Sequence, residues 1–234
     1  LESFLRNAGC LTDFPEVLQT TSIAKKTFEA GTKDATDMPN WNFMLPGEVS
    51  AQPDLHVDGL KTGTTDTAGD CFTGTATQNG QRIITVILHA GGNGTTKRFV
   101  QTAKLMRWTF ANWKPMTVLP AGSSVKGESV IKVDKGKQET VALRTKKAIT
   151  TVVPVNTAAS DVKLVYNKKV AELAAPAKKG TETGTLKASV AGDDLGYVGK
   201  DGSSTTVVTA AQVDKAGFFR LIGRGIKEFF SNLF

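Results

Sequence analysis

The stretch HVDGLKTGTTDTAGDC, His56–Cys71, decides how the rest of the chain is interpreted. It contains few bulky side chains, and it places Lys61, Thr62, Gly63 and Thr64 in succession. A Lys-Thr-Gly triplet is compatible with an ordinary turn. It is equally compatible with one wall of an active site, because glycine lets a ligand backbone approach closely and lysine supplies a cation.

The residues after this motif predict a hairpin followed by a helix. Cys71–Ala76 and Arg82–Ala90 are rich in strand-forming residues, and the Asn-Gly of Gln78–Gln81 between them is a strong hairpin signal. Residues 95–113, TTKRFVQTAKLMRWTFANW, carry apolar side chains at helical spacing. We therefore expect the motif strand and the hairpin to lie on adjacent antiparallel strands, backed by this helix.

The composition changes after about residue 114. Up to about residue 211, aromatic residues almost vanish, and short runs such as TVALRT, ITTVVPV and TTVVTA alternate with turns rich in Gly, Lys and Asp. This pattern is typical of a small all-β module, either a sandwich or a barrel.

The segment DKAGFFRLIGRGIKEFFSNLF, Asp214–Phe234, predicts an amphipathic helix. Polar residues recur on one side: Arg220, Arg224, Lys227 and Ser231. Apolar residues crowd the other side: Phe218, Phe219, Ile222, Ile226, Phe229 and Phe230. Such a helix can dock on its own protein, or it can lie in a bilayer interface with its basic residues toward the headgroups. The aromatic bulk and the basic stripe favour the bilayer, and three glycines within the segment fit a helix that becomes ordered on a surface.

The charge balance limits the classes of partner. The chain has 234 residues and a net charge of +7 at pH 7, which favours attraction to anionic lipid or to an acidic wall polymer. No module that combines aromatic and basic residues to read bases is present, so nucleic acid is not expected. The spacing of Cys10, Cys71, His56 and His89 matches no metal-ligand pattern, and we expect neither a metal nor a cofactor.

In this context the Lys-Thr-Gly triplet resembles the third motif of penicillin-recognising serine acyl-enzymes. More specifically, the chain resembles low-molecular-mass penicillin-binding proteins of the serine-type D-alanyl-D-alanine carboxypeptidase family. The resemblance extends through NWNFMLPG before the motif and GTATQNGQRIITVILHA after it, and it includes LAAPAKKGTETGTL and the amphipathic segment.

The resemblance implies an α+β fold in three parts. Residues 1–113 would be the C-terminal portion of a transpeptidase-like catalytic domain, that is, part of a penicillin-binding or β-lactamase-like domain. Residues 114–212 would form a β-sandwich-like domain, and residues 213–234 would form an amphipathic membrane-anchor helix at the extracytoplasmic face of the bacterial cell membrane. Because half a catalytic domain leaves apolar faces uncovered, we expect residues 1–55 to be poorly packed.

The resemblance also implies roles for individual residues. Lys61 would be catalytic, by binding the terminal carboxylate of a peptidoglycan stem peptide and assisting proton movement. Thr62, Gly63 and Thr64 would bind substrate, and the backbone N–H of Thr64 would belong to the oxyanion hole. Arg98 would add positive charge near the carboxylate, or it is an ordinary arginine on a helix surface. The ligands would be stem peptides ending in D-Ala-D-Ala, and β-lactams.

The same mechanism needs a nucleophilic serine in an S-x-x-K motif and a second motif of S-x-N type. The S-x-x-K matches begin at Ser22, Ser123, Ser129 and Ser160, and none opens a long apolar helix upstream of Lys61. No Ser-x-Asn occurs. We therefore expect these 234 residues to lack the nucleophile-bearing part of a carboxypeptidase and to be inactive alone. The alternative is a non-catalytic, membrane-associated fragment that acts as a cell-wall binding or interaction module.

Overall fold

The computed structural model describes residues 2–91, 94, 96–190 and 203–231. The chain divides into two compact units, one ending at Lys114 and the other beginning at Pro115. Each unit has its own hydrophobic core.

The first unit contains a three-stranded antiparallel sheet and three helices. Its elements are α1 (Glu2–Thr12), α2 (Pro15–Thr21), β1 (Lys25–Phe28), β2 (Thr36–Pro39), β3 (Val57–Thr65), β4 (Gly69–Gln78), β5 (Gln81–Ile87) and α3 (Lys97–Asn112). The sheet order is β3-β4-β5, and β1 and β2 form a separate antiparallel pair. The sequence-based prediction that the motif strand adjoins the hairpin, with the helix following it, is confirmed.

The β4–β5 turn shows why the hairpin could be recognised. Asn79 and Gly80 both have positive φ, 50° and 75°, which a tight two-residue hairpin turn requires and which Asn-Gly adopts readily. The second strand was predicted to reach Ala90, but β5 ends at Ile87. His89 has a φ of 52°, a left-handed conformation that cannot continue an extended strand.

The core of the first unit lies between the sheet and α3. Phe72 on β4 packs edge-on against Phe99 on α3, with ring centroids 5.2 Å apart, and Met106 is fully buried beside them. The expected poor packing of residues 1–55 is wrong in part. Met44 and Leu45 are fully buried, because the segment before β3 folds back onto this core. All residues of β1 and β2, by contrast, are exposed.

The second unit is the expected small all-β domain. Its strands are β6 (Trp113–Leu119), β7 (Val130–Asp134), β8 (Thr140–Thr145), β9 (Ile149–Pro154), β10 (Val162–Lys168), β11 (Glu172–Ala174), β12 (Glu182–Val190) and β13 (Ser204–Thr209). Six of them form one sheet in the order β10-β12-β13-β8-β7-β11, and β6 pairs with β9. Side chains from both sheets share one core, in which Leu143, Ile149 and Val207 are almost fully buried. The final helix, α4, runs over Phe218–Ser231.

Candidate functional site

The Lys-Thr-Gly motif lies on β3, a terminal strand of the three-stranded sheet. β3 pairs with β4 through Lys61↔Thr73, Thr62↔Phe72 and Gly63↔Cys71. Because side chains alternate along a strand, Thr62 is only 9% exposed on the side of the core residue Phe72, whereas Lys61 and Gly63 are exposed. The accessible part of the motif therefore consists of the Lys61 side chain and the backbone around Gly63.

Lys61 presents its ammonium group at the surface of β3. The Nζ atom donates a hydrogen bond to the backbone oxygen of Thr62, the next residue on its own strand. Among the residues that the structure describes, no carboxylate forms an ion pair with Lys61. The ammonium therefore has donors left for an anionic ligand.

Gly63 is surrounded by open space. Among the described residues, a Cβ atom built on Gly63 would meet no heavy atom within 4 Å, so none of them requires glycine there on packing grounds. Gly59, on the same strand, differs: a Cβ there would lie 2.8 Å from the Thr21 hydroxyl and 3.3 Å from the Thr75 methyl group. Glycine at position 63 is thus compatible with a requirement set by a ligand rather than by the fold.

Arg98, in the first turn of α3, is 4% exposed and lies against the end of the motif strand. Its Nη1 atom donates to the Gly63 oxygen at 3.2 Å, the Thr64 hydroxyl at 2.9 Å and the Cys71 oxygen at 3.3 Å. The alternative of an ordinary helix-surface arginine is therefore wrong. The guanidinium group holds the ends of β3 and β4 together and places a positive charge behind Gly63.

Asp70, which was not among the predicted site residues, completes this cluster. The Thr64 hydroxyl donates to Asp70 Oδ1 at 2.8 Å, and Arg98 Nη1 lies 3.5 Å from the same oxygen. A sequence signal could have identified Asp70, because Thr64 and Asp70 flank the short connection predicted between the motif strand and the hairpin. In the structure these two residues are register partners on β3 and β4. One consequence is that the single proton of the Thr64 hydroxyl is already engaged within the chain.

Two bidentate ion pairs join β5 and α3 to the start of β3 and to the segment before it. Arg82 on β5 binds both oxygens of Asp58 at 2.8 Å, and this hydrogen bonding raises the pKa of the Arg82 guanidinium. Arg107 on α3 binds both oxygens of Asp54, at 2.6 and 2.7 Å. The hydrogen bond from Arg107 lowers the pKa of the Asp54 carboxyl below its ordinary value.

The S-x-x-K matches do not have the geometry that the chemistry needs. Ser22 caps the C-terminal end of α2, whereas Lys25 begins β1 and pairs with Asp37 at 2.6 Å, so the two are not one helical turn apart. The Ser123 hydroxyl donates to the Pro120 oxygen, and the Ser160 hydroxyl donates to Asp161. None of these three serines lies at the start of a long helix facing its lysine. The fourth match, Ser129–Lys132, is not helical either, because Ser129 directly precedes β7 and Lys132 lies on that strand.

The predicted amphipathic helix is present as α4, and its apolar side is strongly exposed. Phe218 is 72% exposed and Phe219 is 87% exposed, and Ile222 and Ile226 are also exposed. The side chains of Phe229 and Phe230 lie outside the described residues. In the part of the chain that the structure describes, no helix is long and apolar enough to cross a bilayer.

Arg224 departs from the expected pattern on α4. The sequence placed it on a polar stripe facing lipid headgroups, but its Nη1 and Nη2 atoms donate to the backbone oxygens of Gly136 and Lys137, at 2.8 and 2.9 Å. Its Nε atom lies 2.8 Å from Glu139 Oε1. Arg224 thus binds the β7–β8 turn of its own domain. Arg220, one turn earlier, is exposed.

Both halves of the chain match known protein families. A family model described as D-alanyl-D-alanine carboxypeptidase matches residues 6–92, and one described as penicillin-binding protein 5, C-terminal domain, matches residues 113–215. The chain is 28% identical to D-alanyl-D-alanine carboxypeptidase DacF of Bacillus subtilis over 89% of its own length and 50% of the relative's. It is 30% identical to DacC of Escherichia coli over 77% and 41%, respectively.

Solved structures show the same relationship. Penicillin-binding protein 5 of Haemophilus influenzae matches with a TM-score of 0.62 and 27% identity, over 89% of this chain and 54% of that one. A peptidoglycan synthesis regulatory factor (PBP3) of Streptococcus pneumoniae matches with a TM-score of 0.67 and 25% identity, over 88% and 54%. The chain spans about half the length of the relatives it matches. With its two family matches in the expected order, the chain belongs to the D-alanyl-D-alanine carboxypeptidase family of penicillin-binding proteins.

Proposed function

We propose that this chain supplies the substrate-binding wall of a serine-type D-Ala-D-Ala carboxypeptidase that trims peptidoglycan stem pentapeptides through an acyl-enzyme. The observation that carries the proposal is the arrangement around Gly63. An accessible lysine and an open glycine lie on a terminal strand, with a buried arginine directly behind them.

The position of β3 at the end of its sheet suits a peptide ligand. An extended peptide can pair with a terminal strand through main-chain hydrogen bonds, and the absence of a side chain at Gly63 allows the two backbones to approach closely. The ligand would lie directly on Lys61–Thr64, and Thr62 would take part through its backbone, because its side chain is largely buried. In this pose the backbone N–H of Thr64 would serve the oxyanion hole, and one such donor is worth about 3 kcal/mol in the tetrahedral step.

The charges of the site fit a terminal carboxylate. Lys61 and Arg98 contribute two positive charges, of which Asp70 offsets one through its contact with Arg98. Arg98 is buried, so its field is less screened by water than that of a surface arginine. The proposed ligands are therefore stem peptides ending in D-Ala-D-Ala, and β-lactams, which carry a comparable carboxylate.

Binding can be tested separately from catalysis by NMR titration of the isotope-labelled chain. N-acetyl-D-alanyl-D-alanine should shift the backbone amides of Lys61–Thr64, and the same dipeptide with an amidated C-terminus should not, because it lacks the carboxylate. Lys61→Ala should weaken the shifts, whereas Lys26→Ala, on the exposed β1, should leave them unchanged. Equal shifts with both peptides would contradict the proposal.

We also propose that the catalytic serine lies outside the 234 residues and that the chain alone has no turnover. The absence of Ser-x-Asn and the poor geometry of the S-x-x-K matches support this part of the proposal. A gel with labelled penicillin is the direct test, with the Escherichia coli relative as the positive control. A covalent band on this chain would contradict the proposed inactivity.

The second part of the proposal concerns location. The exposed phenylalanine and isoleucine side chains of α4 suit insertion into a bilayer interface, so the protein would be held at the extracytoplasmic face of the cell membrane. Deletion of residues 217–234 should abolish sedimentation with anionic vesicles, and unchanged sedimentation would rule α4 out as the anchor. If membrane binding holds and no ligand reaches Lys61, the better description is a non-catalytic, membrane-associated module that binds the cell wall or a partner.

A further inference from the structure

Among the residues whose side chains are described, hydrogen bonds and ion pairs join α4 and the segment before it to the β domain at two places. The first is the segment just before the helix, where the Lys137 amide donates to the Asp214 oxygen at 2.7 Å and the Ala216 amide donates to the Lys135 oxygen at 2.8 Å. Lys137 Nζ also lies 3.3 Å from Asp214 Oδ2. The second is Arg224, two helical turns further on.

The Arg224 contact uses the whole guanidinium group. Each of its three nitrogens has a partner on the β7–β8 turn, namely the Gly136 oxygen, the Lys137 oxygen and the Glu139 carboxylate. Its side chain is only 23% exposed, although it belongs to a surface helix. A planar guanidinium group whose nitrogens bind two carbonyl oxygens and a carboxylate is held rigidly, and a lysine ammonium group could not make the same set of contacts.

Two contact points fix the rotation of a helix about its axis. With about 100° between successive residues, Ile222 and Ile226 lie roughly 160° from Arg224 around α4, and Phe218 and Phe219 lie roughly 120–140° from it. The side of α4 that faces away from the β7–β8 turn is therefore the apolar side. The exposure of these four side chains agrees with this geometry.

The same contacts supply the stability that α4 lacks by itself. A 14-residue helix is marginal in water, and Gly223 and Gly225 each weaken it relative to alanine. From the sequence alone, these glycines predict a helix that forms on a surface. The contacts of the Arg224 guanidinium group would also stabilise the helix, and they are present without lipid.

We propose that Arg224 is a positioning residue that clamps a preformed α4 to the β7–β8 turn, and that it does not bind lipid headgroups. The clamp presents the apolar side of α4 outward as a ready-made docking surface for an anionic bilayer. The part of this inference that concerns lipid binding rests on the proposed membrane role, whereas the contact of Arg224 with the β7–β8 turn does not depend on it.

The charges beside α4 suit an anionic bilayer as the occupant. Within residues 134–139 and 214–226, the described basic side chains outside the Arg224–Glu139 pair are Lys135, Lys137, Lys215 and Arg220, all exposed. Against them stand two carboxylates, Asp134 and Asp214. The side chains next to the apolar surface therefore carry a net positive charge, which favours anionic headgroups.

The chain offers a matched pair of variants for the test, Arg224→Gln and Arg220→Gln. Both remove one positive charge from the same side of α4, and only the first removes the clamp. In water without vesicles, hydrogen exchange of amides in residues 221–226 should accelerate at least about tenfold in Arg224→Gln, because several hydrogen bonds to a charged group are lost. It should be unchanged in Arg220→Gln. Unaltered exchange in β8 and β13 would show that the β domain of Arg224→Gln is intact.

Vesicles of phosphatidylcholine and phosphatidylglycerol provide the second measurement. Binding of Arg224→Gln should be weaker than that of Arg220→Gln at high salt, where headgroup attraction is screened and the cost of ordering the helix remains. Equal exchange in both variants, or no protection of α4 in the unaltered protein, would overturn the clamp and leave the membrane role standing. A protected α4 that fails to bind vesicles would support the clamp and refute the membrane role.

Discussion

Arg98 is the residue whose loss should damage the first unit most. The change Arg98→Met keeps a long apolar stem but removes the guanidinium group that contacts Gly63, Thr64 and Cys71. It also leaves Asp70, whose side chain is only 13% exposed, without its cation. The variant therefore creates an uncompensated and largely buried carboxylate.

The magnitude can be worked from these contacts. Removing one partner of a buried ion pair typically costs about 3–5 kcal/mol. The Arg98–Asp70 distance of 3.5 Å is long for a charge-assisted hydrogen bond, so this pair should fall at the low end of that range. We expect Arg98→Met to lower the free energy of unfolding by about 3 kcal/mol. Adding Asp70→Asn should recover about 1–2 kcal/mol of that loss, because the buried charge is removed.

Tryptophan fluorescence during urea unfolding is a suitable assay. Trp41 and Trp108 lie in the first unit, whereas Trp113 begins β6, so the measurement uses a Trp113→Phe background in which the signal reports on the first unit. The control is Arg107→Met on the same helix, which breaks the exposed pair with Asp54 and should cost no more than about 1 kcal/mol. The reasoning fails if Arg98→Met costs no more than this control, or if Asp70→Asn makes the double variant less stable than Arg98→Met.

Three further predictions follow from particular contacts. Because Arg107 lowers the pKa of Asp54 below 3.8, the stabilisation from this pair should be present at neutral pH and lost as the pH falls through the lowered value. The urea midpoint of the wild type should therefore exceed that of Asp54→Asn at pH 7, and the difference should shrink as the pH is lowered below 3.8 and Asp54 becomes protonated; a constant difference would refute the assignment. Gly63→Ala should leave thermal stability within about 0.5 kcal/mol and weaken the NMR response to N-acetyl-D-alanyl-D-alanine, whereas Gly59→Ala should cost about 1–3 kcal/mol through its contacts with Thr21 and Thr75. The opposite order of stabilities would contradict the packing described for β3. Gly136→Ala places a methyl group 2.5 Å from the Gln138 oxygen and 2.7 Å from Val213, so calorimetry should show a loss of about 1–3 kcal/mol in the second unit. The control is Gly217→Ala, where the added methyl group meets nothing within 4 Å, and an equal loss in both variants would contradict the packing argument.

Local features of the first unit could be predicted from the sequence. The β4–β5 hairpin depends on an Asn-Gly turn, and α3 depends on apolar residues at helical spacing, so each is encoded within about 20 neighbouring residues. The order of these elements around the Lys-Thr-Gly motif then placed β3 beside the hairpin. These interactions join residues that are close in sequence, so the sequence pattern alone predicts them.

Contacts between distant residues were not predictable in the same way. Arg98 is 35 residues from Gly63, and an arginine in the first turn of a helix has no sequence signal that distinguishes burial from exposure. The guanidinium group of Arg224 contacts Gly136 and Lys137, which lie 88 and 87 positions earlier in the chain. Hydrophobic periodicity reports which side of a helix is polar, but it does not report whether that side meets water, lipid or protein.

The place of β3 at the end of its sheet has a consequence for self-association. A terminal strand that can accept a peptide can in principle accept any other extended backbone, including β3 of a second copy. The accessible stretch of β3, Lys61–Thr65, contains no large apolar side chain, and an antiparallel pairing of two copies centred at Lys61 would bring two ammonium groups together. The composition of this strand therefore protects the protein against edge-to-edge aggregation while leaving its backbone open.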